Sequence, residues 1–434
     1  MKRIFLSLLL MIWATATYAA CPSLPYTFVN GTTADAGQVN SNLLALWSCI
    51  NAIGTGSSAA NGTVYSNFSG VAGGLQANPL PTGMKNRLIN GAMNVDQRLA
   101  GGLQSVVITD TFLLDRWLAH FSAFASLRYQ QNQGSLTPPA GFANYLGALV
   151  YGPGTPGASD YYGVEQRIEG NNTWDLGFGT ANASSLGLSF WVQSSIAGLY
   201  GGSICNGSGG AATRCYVFSY AISAPNAWQK INLVIPGDLT GTWAGQVNTT
   251  SMILHFSLGA GTNFESSGGS WQTVTNQLSG VTGEVNLVKT NNATWDVTGV
   301  QLEANVTSPF EFRPFAVELA LCQRYYETNY DYGTAVQSYP ITDYPENFLA
   351  PLANSIWQMS QFVPFTMTKR AAPTVTLISP ATGVINMVRD LVSSADVAGV
   401  VNLQGPHGFT VSASLNASHT QMSFGWMWTA SSEL

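Results

Sequence analysis

Five tryptophans, Trp174, Trp191, Trp228, Trp243 and Trp271, are the side chains of this 434-residue chain best suited to recognition chemistry. An indole face packs on the apolar C–H side of a sugar ring, and nearby Asn, Gln or Asp side chains bond its hydroxyls. Trp191 stands out because its strand phase is opposite to that of Leu188, Phe190 and Val192. Trp243 and Trp271 sit in the glycine-rich stretches "LTGTWAGQ" and "SSGGSWQT", where loop exposure is expected. Trp191, Trp243 and Trp271 are therefore the carbohydrate-binding candidates. The competing reading for each is a ring that simply covers a sheet.

Acid–base chemistry has weaker support. Hydrolysis of a glycosidic bond needs two carboxylates roughly 5–9 Å apart. Glu165 and Glu169 share a strand face, but at ~3.3 Å per residue they stand about 13 Å apart. With Arg167 they read as an exposed charged stripe. "LDRW" (114–117) reads as an Asp115–Arg116 pair fixing a strand corner beside a buried Trp117. Asp115 or Glu303 could serve a structural calcium, although no Asp-rich loop accompanies them. His120, His255, His407 and His419 are scattered, and no GxSxG, activated Cys–His arrangement or phosphate loop occurs. No catalytic residue and no cofactor is expected.

Elements able to carry such side chains are mostly strands. Leu186–Val192, Tyr216–Ile222, Ile231–Ile235 and Met252–Leu258 all alternate with period two between Gly/Asn/Ser/Pro turns, as half-buried antiparallel strands do. Trp295 and Val297 occupy one phase, Val300 and Leu302 the other, and Gly299 between them predicts a bulge. Further strands are expected near Val363–Met367 and Val375–Leu377, and in "QMSFGWMWTA", where Met422, Phe424, Trp426 and Trp428 alternate. The predicted class is mainly β: a short N-terminal helix, an antiparallel β-sandwich of jelly-roll type, a junction helix and a C-terminal β domain.

The ends and the composition bear on setting. "MKRIFLSLLLMIWATATYAA" (1–20) has a basic start, an apolar run and small residues at its end, the pattern of a secretory signal. Lipidation of Cys21 stays open. In residues 21–51, Val39, Leu43, Leu46, Trp47 and Ile50 share one helical face, and 52–84 reads as a Gly/Ser-rich linker or stalk. Only 9% of residues are charged, against roughly 25% in ordinary soluble domains. Net charge is −6 with no basic run, which excludes a nucleic-acid partner. Export favours disulfides Cys21–Cys49 and Cys205–Cys215, leaving Cys322 as a free thiol.

A family likeness rests on "KNRLINGAMNVDQR" (85–98), "LDRW" (114–117), "VEQRIEG" (164–170), "LSFWVQSS" (188–195), "VTGVQLE" (297–303) and above all "PFEFRPFAVELALCQRYYE" (309–327). In these segments the chain resembles bacteriophage tail-fibre or receptor-binding proteins over nearly all of its mature length. The resemblance implies an elongated homotrimeric virion component whose jelly-roll module resembles carbohydrate-binding domains. It also implies other tail or surface proteins as partners. The secretory pattern and the cysteines at 205 and 215 depart from that family, so the expected setting is secreted or at the cell surface, or a virion tail.

Together these expectations divide the chain into 1–20, 21–51, 52–84, a sandwich over 85–316, a junction helix over 317–330 and a β domain over 331–434. The helix is expected to bury Phe315, Leu319, Cys322 and Tyr326 as one stripe, packed on the sandwich or on symmetry mates. The expected function is non-enzymatic: structural support and binding of a cell-surface glycan. A tailspike-like polysaccharide depolymerase and a secreted scaffold with no glycan ligand are the alternatives.

Overall fold

A computed structural model describes residues 84–105, 110–122, 126–207, 213–341, 346–351, 358–414 and 421–434, together with the helical Ser41, Asn42 and Leu44. The chain forms two compact units, 1–83 and 84–434. The expected signal segment, the linker up to residue 83, the Cys21–Cys49 pairing and most of the N-terminal helix lie outside the described residues.

In the second unit the strands follow the period-two pattern of the sequence. They are β1 (Gln104–Ser105), β2 (Thr111–Leu114), β3 (Trp117–Phe121), β4 (Ser126–Gln131), β5 (Leu146–Gly152), β6 (Tyr161–Glu169), β7 (Leu186–Ser194) and β8 (Gly198–Asn206). After them come β9 (Thr213–Ile222), β10 (Gln229–Ile235), β11 (Thr250–Ala260), β12 (Glu265–Ser266), β13 (Trp271–Val274), β14 (Gly280–Val281) and β15 (Thr294–Ala304). One sheet has the order β1-β4-β5-β15-β7-β10 and the other β13-β9-β8-β11-β6-β3-β2. Successive strands switch repeatedly between the two sheets, so this is an antiparallel β-sandwich with the crossovers of a jelly roll.

Between the sheets lie Leu188, Phe190 and Val192 of β7 and Met252, Leu254, Phe256 and Leu258 of β11, all fully buried. Phe256 touches the rings of Phe190, Trp295 and Trp117 at 5.0, 5.6 and 6.4 Å. Burying each such side chain contributes about 1.5–3 kcal/mol. The bulge in β15 falls where the sequence predicts it. Gly299 has φ +61°, the register with β7 shifts between Thr298 and Gln301, and Trp295, Val297, Val300 and Leu302 are all buried. "LDRW" is a tight β2–β3 corner, with Arg116 at φ 72°. Asp115 there accepts the Gln97 N–H and side-chain amide, each at 2.7 Å, and the Trp117 indole donates to the Asn90 carbonyl.

The junction helix is shorter than its sequence suggests: it spans Phe315–Gln323 and is capped at its end by Arg324. Glu318, in its first turn, accepts the N–H of Asn90, and Arg313 lies 3.3 Å from Glu318 and 3.1 Å from Glu311. Cys322 and Leu319 pack with Ile89, Val95 and Tyr325. The other two members of the expected stripe lie elsewhere. Phe315 is 44% exposed, resting edge-on against Tyr332. Tyr326 belongs to a strand, β16 (Tyr326–Thr328), opposite Ser431. Two adjacent tyrosines followed by Glu-Thr favour a pleated strand once an edge is offered, and that pairing ends the helix.

The remaining strands are β17 (Glu346–Pro351), β18 (Gln358–Pro364), β19 (Thr374–Ile378), β20 (Met387–Asp390), β21 (Ala395–Gly405), β22 (Gly408–Ser414) and β23 (Gln421–Ser431). β23 is the hub: it pairs with β16, β17, β19 and β20. Its Met422, Phe424, Trp426 and Trp428 form the inner face of a second core.

Candidate functional site

A cavity of about 190 Å³ lies on the outer face of the seven-stranded sheet. In β11 the core takes Leu254 and Phe256, so His255 must point the other way. In β6 the same alternation turns Glu165 outward from Val164. Antiparallel register sets His255 directly opposite Glu165, and His120 of β3 opposite Gly163. The imidazole of His255 lies over Gly163; a Cβ there would stand 2.2 Å from the ring. At Glu165 and His255 this outer face is covered rather than solvated, while Asp110 stays exposed. Residues 264 and 276–279 form the opposite wall of the cavity, held by Ser279 N–H donating to the Phe264 carbonyl at 2.8 Å.

A chain of polar contacts runs from the cavity-lining Ser279, His255, Gln277 and His120 to Glu165, Arg167 and Asp110 behind them. Ser279 Oγ lies 2.7 Å from His255 Nε2, and His255 Nδ1 lies 3.4 Å from Glu165 Oε2. The second contact is an ion-pair distance rather than a full hydrogen bond, since Nδ1 has no partner of good geometry among the described residues. Gln277 donates to the same Glu165 oxygen at 3.1 Å, and Arg167 Nε donates to Oε1 at 2.9 Å. Arg167 also donates to Asp110 at 2.8 Å, and Asp110 lies 3.0 Å from His120 Nδ1. Tyr161 stacks on His120 at 4.9 Å and tilts against Phe264 at 4.8 Å.

The electrostatics follow from this wiring. Burial raises the Glu165 carboxyl, but His255, His120 and Arg167 outweigh it and bring it down to about 2. Burial also raises Asp110, and His120 and Arg167 bring it below the usual range. Burial lowers His120, yet Asp110 and Glu165 carry it above its ordinary value. His255 is lowered, because burial exceeds the pull of Glu165. The cluster beside the cavity thus holds two anionic carboxylates, a guanidinium and a neutral imidazole near neutral pH.

Two expectations are corrected here. Glu165 and Glu169 are not an exposed stripe: both are buried, Glu165 under the cavity and Glu169 against Arg324 and Tyr325. Nor do the histidines stay scattered, because His120 and His255 come within 6.1 Å, ring centre to ring centre. Donor atoms of Asp110, His120 and Glu165 gather within 4.8 Å, but the Arg167 guanidinium already bridges both carboxylates. Asp115 and Glu303, considered for calcium, are likewise occupied. Asp115 binds Gln97, and Glu303 accepts from Ser308 and Gln301.

The tryptophans separate into two kinds. Trp243 and Trp271 meet edge to face at 5.5 Å, and each packs on Phe178. Their indole N–H groups are engaged, Trp243 with Asp238 at 3.1 Å and Trp271 with the Pro236 carbonyl at 2.6 Å. Trp271 lies in β13 opposite Tyr216, not in a loop. Trp191 is half-buried on the outer face of the other sheet, between Lys230 and Thr298 in register. Trp228 donates to the Thr137 carbonyl and packs on Tyr145, and Trp174 is exposed beside a second cavity of about 70 Å³. The structure therefore does not bring Trp191, Trp243 and Trp271 together. The disulfide Cys205–Cys215 joins β8 to β9 under Leu278, and Cys322 is the free thiol among the described residues.

No family sequence model matches the chain, and no curated protein matches it. Solved structures give distant likenesses. A putative sugar binding protein from Bacteroides thetaiotaomicron is 10% identical, with 51% of this chain and 100% of that chain covered and a TM-score of 0.29. A family 11 carbohydrate-binding module from Clostridium thermocellum, in complex with a β-1,3-1,4-mixed-linked tetrasaccharide, is 15% identical over 46% and 96%, with a TM-score of 0.25. The enzymatically active domain of bacteriophage CBA120 tailspike protein 4 is 11% identical over 50% and 21%, with a TM-score of 0.26. The chain thus spans about a fifth of that tailspike domain's length. TM-scores of this size carry no argument about function.

Proposed function

We propose that this chain is a tail-fibre-like structural protein that binds a cell-surface glycan through its β-sandwich, without cleaving the glycan's glycosidic bonds. One observation carries the proposal: a single cavity combines the Tyr161 and Phe264 rings with His120, Asn276 and Ser279. Apolar ring faces beside a few convergent polar groups suit a saccharide, whose C–H faces and hydroxyls need both. Depolymerase chemistry fits poorly there. Asp110 and Glu165 are both held ionised, so neither keeps the proton a general acid must give to the leaving oxygen. Export through residues 1–20 and assembly as a homotrimer belong to the same proposal. The exposed apolar side chains Phe312, Phe315 and Val317 support self-association.

The test is affinity electrophoresis of the full chain against capsular polysaccharides and lipopolysaccharides, with a reducing-end assay alongside. Retardation that Tyr161→Ala weakens at least tenfold, with no new reducing ends, is the expected result. Binding unaffected by Tyr161→Ala overturns the site; accumulating reducing ends overturn the non-cleaving role.

A further inference from the structure

We propose that Ser279, His255 and Glu165 form a nucleophile–base–carboxylate relay that hydrolyses esters of short carboxylic acids. In the glycan reading above, on which only this clause rests, the natural esters are O-acyl substituents of the bound saccharide. The activity goes beyond binding, and no sequence motif announces it.

Geometry carries the assignment. Ser279 Oγ and His255 Nε2 are within hydrogen-bond reach at 2.7 Å, and Ser279 lines the cavity. The far nitrogen of the same ring faces Glu165 at 3.4 Å, a separation that can tighten when substrate binds. Glu165 is itself fixed by Arg167 and Gln277, so the carboxylate that orients the ring is immobile. His120, whose Nδ1 is committed to Asp110, and Asn276 line the same cavity and are the side chains that would donate to an oxyanion. The cavity volume of about 190 Å³ suits an acetyl-sized acyl group, with the alcohol portion left outside.

The chemistry balances with water as co-reactant. Ser279 Oγ attacks the ester carbonyl carbon while its proton passes to His255 Nε2. The carbonyl electron pair moves to oxygen, then returns as the carbon–alkoxy bond breaks, and His255 hands its proton to the departing alcohol. Water then attacks the acyl-Ser279 ester, giving one proton to His255. The carboxylic acid leaves as Ser279 Oγ regains that proton. Ser279 and His255 act as catalytic residues; Glu165 is a positioning residue.

The experiment treats the purified full chain with p-nitrophenyl acetate, and separately with a fluorophosphonate followed by peptide mass spectrometry. Expected are turnover with an initial burst and an adduct on the peptide carrying Ser279. Ser279→Ala should lose about 10³-fold or more in kcat/KM while keeping its melting temperature. Equal rates for wild type and Ser279→Ala, or no adduct at Ser279 in the wild-type chain, overturn the relay. The adduct result stands whether or not the variant folds, and neither probe contains a sugar, so failure of the glycan reading is separately visible. Glu165→Gln should also move the acidic limb of the kcat/KM profile to lower pH, because His255 loses its facing anion while Arg167 and His120 remain. A purely structural role leaves that limb in place and removes Glu165 from the relay.

Discussion

Arg324 lays its guanidinium along the Glu169 carboxylate, with Nε 3.0 Å from Oε2 and Nη2 2.6 Å from Oε1. The pair ties the end of the Phe315–Gln323 helix to β6, and the Tyr325 hydroxyl adds a third bond to Glu169 at 2.6 Å. Glu169 is buried and Arg324 is a third exposed, so solvent takes part of the interaction. Glu169→Ala should cost about 2–3 kcal/mol in urea unfolding, at the low end for breaking a buried pair. Arg324→Lys should not hold the protein at wild-type stability, because an ammonium cannot make the side-on pair. A loss below about 0.5 kcal/mol for Glu169→Ala would show the contact to be incidental.

Asp296 should make the fold less stable as pH rises. It is buried, its Oδ2 accepts a 3.3 Å bond from Gln193, and its Oδ1 has no partner among the described residues. Burial raises its pKa to about 8 despite that bond. The folded chain therefore holds a proton that the unfolded chain releases near its ordinary value of 3.8. Its contribution is full below pH ~4 and declines through about pH 8. Asp296→Asn should be nearly neutral at pH 4 and stabilising by a few kcal/mol at pH 8. Thermal melts at both pH values decide the matter; the same change at each counts against it.

Reduction of Cys205–Cys215 should destabilise the sandwich by about 3 kcal/mol, the loop-closure value for so short a span. Both cysteines pack under Leu278, next to Ser279, so the loss should also loosen the cavity wall. Hydrogen exchange of residues 276–281 in a Cys205→Ala/Cys215→Ala variant should accelerate. Exchange unchanged there would separate the staple from the site.

Trp243→Ala and Trp191→Ala should behave differently. Trp243 packs on Phe178 and Trp271 and bonds Asp238, so its removal should cost about 3 kcal/mol and lower the melting temperature. Trp191 is half-buried and stands opposite Lys230, and Trp191→Ala should leave the melt within about 1 kcal/mol of wild type. If Trp191 contacts saccharide, only that variant should lose retardation on a glycan gel with its fold intact. Equal melting losses would place both rings in the framework.

The strands and the Gly299 bulge were legible because period-two alternation records a face buried once, against one core. The cavity was not, for the same reason. In "MILHFSL" and "YYGVEQRIE", His255 and Glu165 stand in the off-phase, which alternation assigns to solvent. Their burial comes from Phe264 and residues 276–279 covering the sheet there, and their meeting comes from β6–β11 register across ninety residues of chain. For His255, an ionisable residue in the middle of the mostly apolar "MILHFSL" was the available signal; "VEQRIE" around Glu165 is polar and gave none. The helix end was missed differently: Tyr326 follows the helical stripe, but pairing with β23 outweighs it.

The empty side of Gly163 has a consequence for how this chain can vary. Because the His255 ring occupies the space a methyl group would fill, positions 163 and 255 cannot drift independently. An alanine at 163 acts as a wedge, turning the imidazole off its line to Ser279 while leaving every polar group of the cavity in the sequence. Among related chains, then, glycine at 163 is the companion to look for wherever 255 is histidine and 279 is serine. A chain with those two residues but a larger side chain at 163 would keep the ingredients without their alignment.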